Sequence, residues 1–341
     1  MNEKSRVSTN INFDADGISH GYLQVPHSTT DSAYGWIPVP VTVVKNGYGP
    51  SVLLMAGNHG DEYEGQILLM KLLRGLSADQ VTGRLIILPG VNSPAVAAGQ
   101  RVSPIDGGNL NRLFPGDADG TPTQMIAHYI DSVLLPLVRY CFDFHSGGYS
   151  LEYIPSAHLV APSELSLRKE ALGFLNAFGM PNSILIEGLA NDDQLLLGSC
   201  RRRGVGHMST ELGGAAAFSV DAFRAAERGL PRLLRHVGVL APNDHTEPAP
   251  STRFYLRQPA RELIFATDSG VFEAYVKLGD AVNEGDLAGQ IHFPEIPWRA
   301  PETMFFPTGG VILAKRAPAR ARIGDCLFAL GVPGLAEASD D

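Results

Sequence analysis

The fold is decided by residues 52–62, which read VLLMAGNHGDE. The first half, Val52–Ala56, is a short and continuous apolar run, which is typical of a strand buried on both faces of a sheet. A polar loop follows, and a helical pattern begins near Glu62, with Ile67, Met70 and Leu73 on one face. A buried strand that runs through a loop into a helix is the repeating unit of a parallel α/β sheet, so this segment predicts that class of fold.

The same unit recurs further along the chain. Apolar or β-prone runs predict more strands, at Leu85–Leu88, Tyr140–Phe144, Ser183–Ile186 and His207–Leu212. Helical patterns lie between or after them, at residues 121–134, Glu164–Phe178 and Asp221–Val237. Because strands and helices alternate, we predict an α/β fold with a mixed, mostly parallel sheet flanked by helices.

The composition changes at Ala241–Pro250, a polar and proline-rich stretch that is typical of a linker. After it the helical patterns end, and short strands with glycine turns form a weak internal repeat, over Gly270–Leu287 and Gly310–Leu327. The chain of 341 residues is about twice as long as one domain of ~100–200 residues. We therefore predict an α/β domain over residues 1–245 and a smaller all-β domain over residues 252–341.

Composition and charge exclude several classes of protein. The formal net charge of −9 argues against nucleic acid or an anionic membrane as a partner. Three widely spaced cysteines, Cys141, Cys200 and Cys326, do not predict a disulfide framework and favour a reducing compartment. No apolar stretch approaches the ~18 residues of a membrane helix, and the N-terminus lacks the apolar core of a signal peptide. We expect a cytoplasmic protein.

Three polar clusters follow predicted strands, at residues 58–62, at residues 145–148 and at Glu211. Ligands of open α/β sheets bind beyond the carboxyl ends of the strands, so these clusters are the candidate site. His59 and Glu62 are three positions apart and can direct an imidazole and a carboxylate to one point. A third ligand from a distant strand, such as His145, would complete the two-His, one-Glu set of catalytic zinc sites and leave a position for water.

Each of these residues also has a structural alternative. His59 and Glu62 are equally compatible with polar loop residues that cap a helix, and His145 with a strand-end histidine bonded to the backbone. Asp143 shares a strand face with His145, where it either orients that histidine or is simply buried and hydrogen-bonded.

Two further residues are open to similar alternatives. Arg112 lies in a loop rich in glycine and asparagine. Its guanidinium group either binds a carboxylate through two parallel hydrogen bonds, together with Asn111, or is that of an ordinary surface arginine. Glu211 precedes two glycines at a strand end, where it is either a catalytic group or an ordinary turn carboxylate.

As a set, these motifs resemble the succinylglutamate desuccinylase/aspartoacylase family, a branch of the zinc carboxypeptidase superfamily. The resemblance runs from Ser51 to Gly214 and rests on four motifs, residues 58–62, residues 109–112, residues 143–146, and Glu211 with the glycines behind it. It implies a fold like that of the zinc carboxypeptidases. One motif departs from the family pattern, because Asn109 stands where aspartoacylases have aspartate.

The resemblance also implies a role for each candidate residue. One Zn²⁺ per chain would be held by His59, Glu62 and His145. Glu211 would be the general base, Asn111 and Arg112 would hold the substrate's α-carboxylate, and Arg101 is the nearest candidate for the arginine that stabilises the oxyanion.

Within the family, residues 101–112 and the long C-terminal β segment are most similar to the bacterial N-α-acetyl-L-2,4-diaminobutyrate deacetylases of ectoine degradation. The implied activity is zinc-dependent removal of an acyl group, with acetyl expected, from a small N-acyl amino acid. The alternatives are a zinc carboxypeptidase acting on a short peptide or cell-wall fragment, and a non-catalytic binding protein whose β domain recruits a partner.

The C-terminal segment is similar to biotinyl/lipoyl-type β domains, but residues 292–306 contain no lysine that could be modified. We expect this domain to wall off the cleft against long peptides, with contacts between the protomers of a homo-oligomer as a second use. Residues 292–298, which end at Trp298, suit the wall, although Trp298 is equally compatible with a position in the core.

Overall fold

The computed structural model describes residues 4–161, 164–187, 192–242, 248–257 and 262–334. The strands of the first part are β1 (Gly17–Pro26), β2 (Trp36–Asn46), β3 (Ser51–Ala56), β4 (Gly83–Leu88), β5 (Tyr140–His145), β6 (Leu151–Tyr153), β7 (Ser156–Val160), β8 (Asn182–Ile186) and β9 (Gly206–Glu211). The α-helices are α1 (Tyr63–Gly75), α2 (Ser93–Ala98), α3 (Pro122–Tyr129), α4 (Leu165–Phe178), α5 (Leu196–Arg203) and α6 (Val220–His236).

The central sheet is mixed. Its first part has the strand order β1-β2-β4-β3-β5-β9-β7-β8. Strand β3 pairs in parallel with β4 and β5, and β5 pairs in parallel with β9. Strands β1 and β2 form an antiparallel hairpin, and β7 runs antiparallel to β9. The predicted α/β class with a mixed sheet and flanking helices is confirmed.

Strand β3 is buried on both faces, as its continuous apolar run predicts. Leu54 and its neighbours on one face join a core with α1, α4 and α6, whereas Leu53 and its neighbours on the other face join a core with α3 and α5. The turn after β3 requires glycine at position 60, because a Cβ there would lie 1.9 Å from the carbonyl oxygen of Ala95. The loop that carries His59 is therefore packed tightly against helix α2.

The strands after the linker are β10 (Arg253–Arg257), β11 (Leu263–Phe265), β12 (Gly270–Ala274), β13 (Ala281–Val282), β14 (Leu287–His292), β15 (Glu302–Phe305), β16 (Gly310–Arg316), β17 (Arg320–Ala321) and β18 (Cys326–Pro333). The internal repeat has a structural counterpart. Strand β12 pairs with β14 and with β17, and β16 pairs with β18 and with β13, so the short middle strand of each repeat pairs with the first strand of the other.

This C-terminal part is continuous with the central sheet. Strand β10 pairs in parallel with β8, β18 pairs with β10, and β16 pairs with β6. The linker was predicted over Ala241–Pro250, of which residues 243–247 lie outside the described residues, and the division at residues 245 and 252 stays a prediction. Among the described residues, no helix has the length and apolar character required to cross a membrane.

Candidate active site

Three buried side chains meet at the carboxyl end of the parallel strands. His59 follows β3, Glu62 directly precedes α1, and His145 is the last residue of β5. The Nδ1 atom of His59 lies 2.6 Å from Oε1 of Glu62, and Nδ1 of His145 lies 2.8 Å from Oε2 of the same carboxylate. One ligand atom from each residue falls within 4.8 Å of the others, and all three side chains are buried. The structure thus brings together the three residues predicted as metal ligands.

The other ring nitrogens of the two histidines fix their tautomers. Nε2 of His145 lies 2.7 Å from Oδ2 of Asp143, and Nε2 of His59 lies 3.1 Å from Oδ1 of Asn109. Carboxylate and side-chain amide oxygens only accept hydrogen bonds, so each Nε2 donates. Each Nδ1 faces Glu62, where it either carries a second proton or, with that proton removed, offers its lone pair to a metal ion. Asn109, which stands where aspartoacylases have aspartate, therefore accepts a hydrogen bond from Nε2 of His59 and orients that ring.

A ring nitrogen this close to a carboxylate oxygen shares a proton with it, and a metal ion that binds here replaces that proton. Burial lowers the pKa of His145, but the charges of Asp143 and Glu62 outweigh it and raise the pKa well above its usual value. Burial likewise raises the pKa of Glu62, but the charges of His59 and His145 hold it well below its usual range. Two imidazole nitrogens and one carboxylate around a common point fit a divalent metal of the zinc type.

The capping alternative for Glu62 is wrong. Its backbone occupies the N-cap position of α1, but its side chain makes no capping hydrogen bond. The carboxylate instead contacts the two histidines and accepts a hydrogen bond from the backbone N–H of Ser146 at 3.2 Å. The alternative for His145 is also wrong, since both of its ring nitrogens face carboxylates rather than the backbone.

Glu211 lies beside the metal triad because of sheet register. In the parallel pair of β5 and β9, His145 and Glu211 are direct partners. Oε2 of Glu211 is buried and has no hydrogen-bond partner among the described residues. Burial and the negative charge of Glu62 raise the pKa of Glu211 to about 8. A carboxylate in this range exchanges protons near neutral pH, and a nearby metal cation would lower its pKa.

The glycines after Glu211 hold it in place. Gly214 has a φ of 141°, and a Cβ there would lie 2.1 Å from the carbonyl oxygen of Leu151. The backbone after β9 therefore packs directly on the loop that follows His145. This contact couples the position of Glu211 to that of the metal triad.

The two predicted arginines lie on the same side of the triad. Nη1 of Arg101 lies 3.3 Å from Nδ1 of His59 and 3.7 Å from Oε1 of Glu62. Arg112 donates to the carbonyl oxygen of Asn111 at 2.7 Å, and burial together with the charge of Arg101 lowers the pKa of Arg112. Two neighbouring guanidinium groups favour the binding of an anion between them.

All seven predicted site residues line one cavity of about 430 Å³. The side-chain oxygen of Asn111 accepts a hydrogen bond from the backbone of Leu196 at 2.9 Å, which directs its N–H₂ group elsewhere. Asp192 and Asp193 are not among the described residues that line the cavity, and both pair with Arg201. These two acids form a short 3-10 turn that Arg201 ties to α5.

Sequence reasoning missed six polar residues of this cavity, which are Ser150, Tyr153, His158, His207, Ser209 and Arg257. Tyr153 and His158 lie on β6 and β7, two short strands without a clear pattern, and Arg257 lies on β10, after the linker. Ser209 had a signal, because alternation along β9 puts it on the same face as Glu211. No described residue of the segment 292–298 lines the cavity, and Trp298 is 82% exposed, which excludes the core position.

The chain matches the family model described as the succinylglutamate desuccinylase/aspartoacylase catalytic domain over residues 48–237. It belongs to this family, whose members are hydrolases that cleave amide bonds and release acyl groups.

Similar proteins are known at the level of sequence and of structure. The N-alpha-acetyl-L-2,4-diaminobutyric acid deacetylase of Halomonas elongata is 39% identical over 95% of this chain and 94% of its own length. A product-bound structure of the ectoine utilization protein EutE from Ruegeria pomeroyi is 36% identical, with a TM-score of 0.91 over 97% of this chain and 99% of that chain. A succinylglutamate desuccinylase/aspartoacylase from Rhodobacter sphaeroides is 37% identical, with a TM-score of 0.90 over 97% of this chain and 100% of that chain.

The bond between Asp143 and His145 yields a prediction for metal affinity. Asp143→Asn should weaken metal binding by about 10- to 100-fold, because an amide can present its N–H₂ group to Nε2 and reverse the histidine tautomer. Titration of the metal-free protein with Zn²⁺ against a competing chelator measures this. Asp131→Asn is the matched control, because Asp131 is also buried but pairs with Arg203 away from the cavity. Equal affinities in the two variants would contradict the orienting role of Asp143.

Proposed function

We propose that this chain is a zinc-dependent deacetylase of small N-acetyl amino acids, with N-α-acetyl-L-2,4-diaminobutyrate as its substrate. The observation that carries the proposal is the convergence of His59, Glu62, His145 and Glu211 in one cavity that Arg101 and Arg112 also line. The similarity to the Halomonas elongata deacetylase over almost the full length of both chains supports this choice of substrate.

His59, Glu62 and His145 would hold one Zn²⁺ through Nδ1, a carboxylate oxygen and Nδ1, respectively. When bound, the zinc lowers the pKa of a coordinated water and polarises the amide carbonyl. Asp143 and Asn109 keep the two histidines in the tautomer that presents Nδ1 to the metal. The protein therefore supplies a preset geometry before any metal arrives.

Glu211 is the proton carrier in this proposal. Its unpartnered oxygen accepts a proton from the attacking water, and the same carboxyl group then delivers the proton to the leaving amine. A pKa of about 8 without metal, brought down by a nearby cation, suits a group that must both accept and release a proton.

The arginines position the substrate. Arg101, whose Nη1 atom lies 3.3 Å from Nδ1 of His59, would stabilise the negative charge that develops on the carbonyl oxygen, a contribution of about 3–4 kcal/mol per donor. Arg112 and Asn111 would hold the α-carboxylate next to the scissile amide. A free carboxylate beside the amide is then a condition for productive binding.

The C-terminal part limits the size of the substrate. Strand β16 pairs with β6, which begins directly after the loop that follows His145, and Arg257 of β10 lines the cavity. We infer that this part has a biotinyl/lipoyl-like arrangement, supported by the reciprocal pairing of its two repeats, and that it excludes polypeptides. Assembly into a homo-oligomer stays a prediction.

A substrate panel tests the proposed function. The zinc-loaded protein should release acetate from N-α-acetyl-L-2,4-diaminobutyrate and from other N-acetyl amino acids. It should cleave dipeptides and cell-wall peptides at rates at least about 100-fold lower, since removing productive binding in a restricted site typically costs ~3 kcal/mol. Preferential cleavage of peptides would instead indicate a carboxypeptidase, and no cleavage of either class would indicate a binding protein.

Replacing the proposed base separates catalysis from metal binding. Glu211→Gln should retain one zinc per chain and lose about 10²–10⁴-fold in kcat, because an amide cannot accept the proton of water. Metal analysis and steady-state kinetics on the same preparation measure both properties. Near-normal turnover with zinc in place would assign the base to another residue.

Arg112→Lys tests recognition of the carboxylate. The variant keeps the charge but loses the planar fork, so kcat/KM for N-acetyl amino acids should fall by about 10- to 100-fold, as for a lost charged hydrogen bond. The matched comparison is a substrate whose α-carboxylate is replaced by a neutral amide, for which the loss should be much smaller. The same loss for both substrates would show that Arg112 does not contact the carboxylate.

A further inference from the structure

One arm of the cavity extends away from the metal triad along the face of the sheet. Glu211 and Ser209 alternate on β9 and point to the same side, and β7 runs beside them with His158 directly opposite Ser209. Ser209 is two residues before Glu211 on β9, so Ser209 and its cross-strand partner His158 lie about 7 Å from Glu211 along the strand direction. Tyr153 completes this inner arm, with its ring 6.0 Å from that of His158 at an angle of 68°.

The hydrogen bonds of His158 fix which of its nitrogens faces the cavity. The hydroxyl of Ser156 donates to the carbonyl oxygen of Ile154 at 2.9 Å, so its only hydrogen is used. The hydroxyl oxygen must then accept from Nε2 of His158, which lies 2.9 Å away. Nδ1 of His158 keeps its lone pair and has no partner among the described residues, although the side chain is only 6% exposed.

The charge state of His158 agrees with this assignment. Burial lowers the pKa of His158 to about 3, with the positive charges of Arg257 and His145 acting in the same direction. The imidazole is neutral at physiological pH and presents an acceptor, not a donor. Burial also raises the pKa of Tyr153, so its phenol stays uncharged.

We propose that this inner arm, formed by His158, Ser209 and Tyr153, binds the side-chain ammonium group of the substrate. An ammonium group offers three N–H donors and no acceptor, which matches a buried cluster of neutral acceptors. The inference rests on the proposed deacetylase function and names the residues that select a diamino acid.

The dimensions of the arm agree with a four-carbon diamino acid. With standard bond lengths, about 5 Å separate the amide nitrogen and the terminal nitrogen of extended 2,4-diaminobutyrate. This nitrogen–nitrogen distance plus one hydrogen bond of about 3 Å is long enough to span the separation of about 7 Å between Glu211 and Ser209.

Arg257 is the group that opposes this assignment. It lies on the same face, since β10 pairs with β8 and β8 with β7, and its cation would repel an ammonium group. However, the carboxylate of Glu262 lies 3.9 Å from Nε of Arg257 and offsets part of its charge. The competing interpretation is an arm that binds an anionic side chain, and the experiment separates the two.

Three substrates of similar shape test the arm, namely the N-acetyl derivatives of L-2,4-diaminobutyrate, L-norvaline and L-glutamate. They place an ammonium, a methyl and a carboxylate group at the end of the same two-carbon chain. The wild-type zinc protein should prefer the ammonium over the methyl substrate by about 10- to 100-fold in kcat/KM, the effect of hydrogen bonds to one charged group.

The variants His158→Leu and Ser209→Ala should retain zinc and reduce this preference to less than about threefold, because kcat/KM falls more for the ammonium substrate than for N-acetyl-L-norvaline. His20→Leu, on the distant hairpin strand β1, is the matched control and should keep the full preference. Equal losses for the ammonium and methyl substrates in both variants would overturn the proposal. So would a wild-type preference for N-acetyl-L-glutamate that Arg257→Leu abolishes.

If none of the three substrates is cleaved, the proposed deacetylase function is wrong, but the ammonium site can still be tested by binding. Calorimetric binding of L-2,4-diaminobutyrate and L-norvaline to the zinc-loaded protein then tests the arm directly. Tighter binding of the diamino acid that His158→Leu removes would support the ammonium site, and equal binding of both amino acids would overturn it.

Discussion

The active site depends on the buried carboxylate of Glu62, which lies between the imidazoles of His59 and His145. Without a cation, a negative charge would face two lone pairs in an environment from which water is excluded, and this is unfavourable by several kcal/mol. The sheet brings the three groups together nonetheless, because β3 and β5 are parallel neighbours that end at the same edge. The free energy gained by burying these strands therefore holds the carboxylate and the two imidazoles close together. This arrangement becomes favourable only when a proton or a metal ion binds between them.

Most of this arrangement was predictable, because it is encoded locally. The apolar run of β3 fixes where the strand ends, and the residue after each strand end is then in position for a ligand. The bounds of β5, α4 and α6 lie within about one residue of the predictions, an accuracy expected of strongly periodic segments. Glu211 depended on a non-local fact, the pairing of β5 with β9, and without the family resemblance its role would have stayed open.

The rest of the cavity could not be predicted, for a physical reason. Strands β6 and β7 are short, and their residues are selected by partners that are distant in sequence, such as β16 for β6. No periodic signal arises from so few residues, so Tyr153 and His158 were not recognised. Arg257 was missed because the proline-rich stretch before β10 indicated a separate domain, whereas β10 extends the central sheet. A composition change marks a linker but does not determine where the following strand pairs.

The charge balance of the cavity follows from this topology. The start of α1 and the end of β9 contribute the acids, Glu62 and Glu211, whereas the segment between α2 and α3 and strand β10 contribute the arginines. Between these charged ends, antiparallel β7 places a neutral histidine opposite a serine. In the proposed binding mode, the carboxylate of the substrate meets Arg112 and its ammonium group meets the neutral acceptors, while Glu262 offsets part of the charge of Arg257. The antiparallel pairing of β9 with β7 places His158 opposite Ser209, and in the proposal this pair binds the ammonium group at a distance from Arg112, which binds the carboxylate.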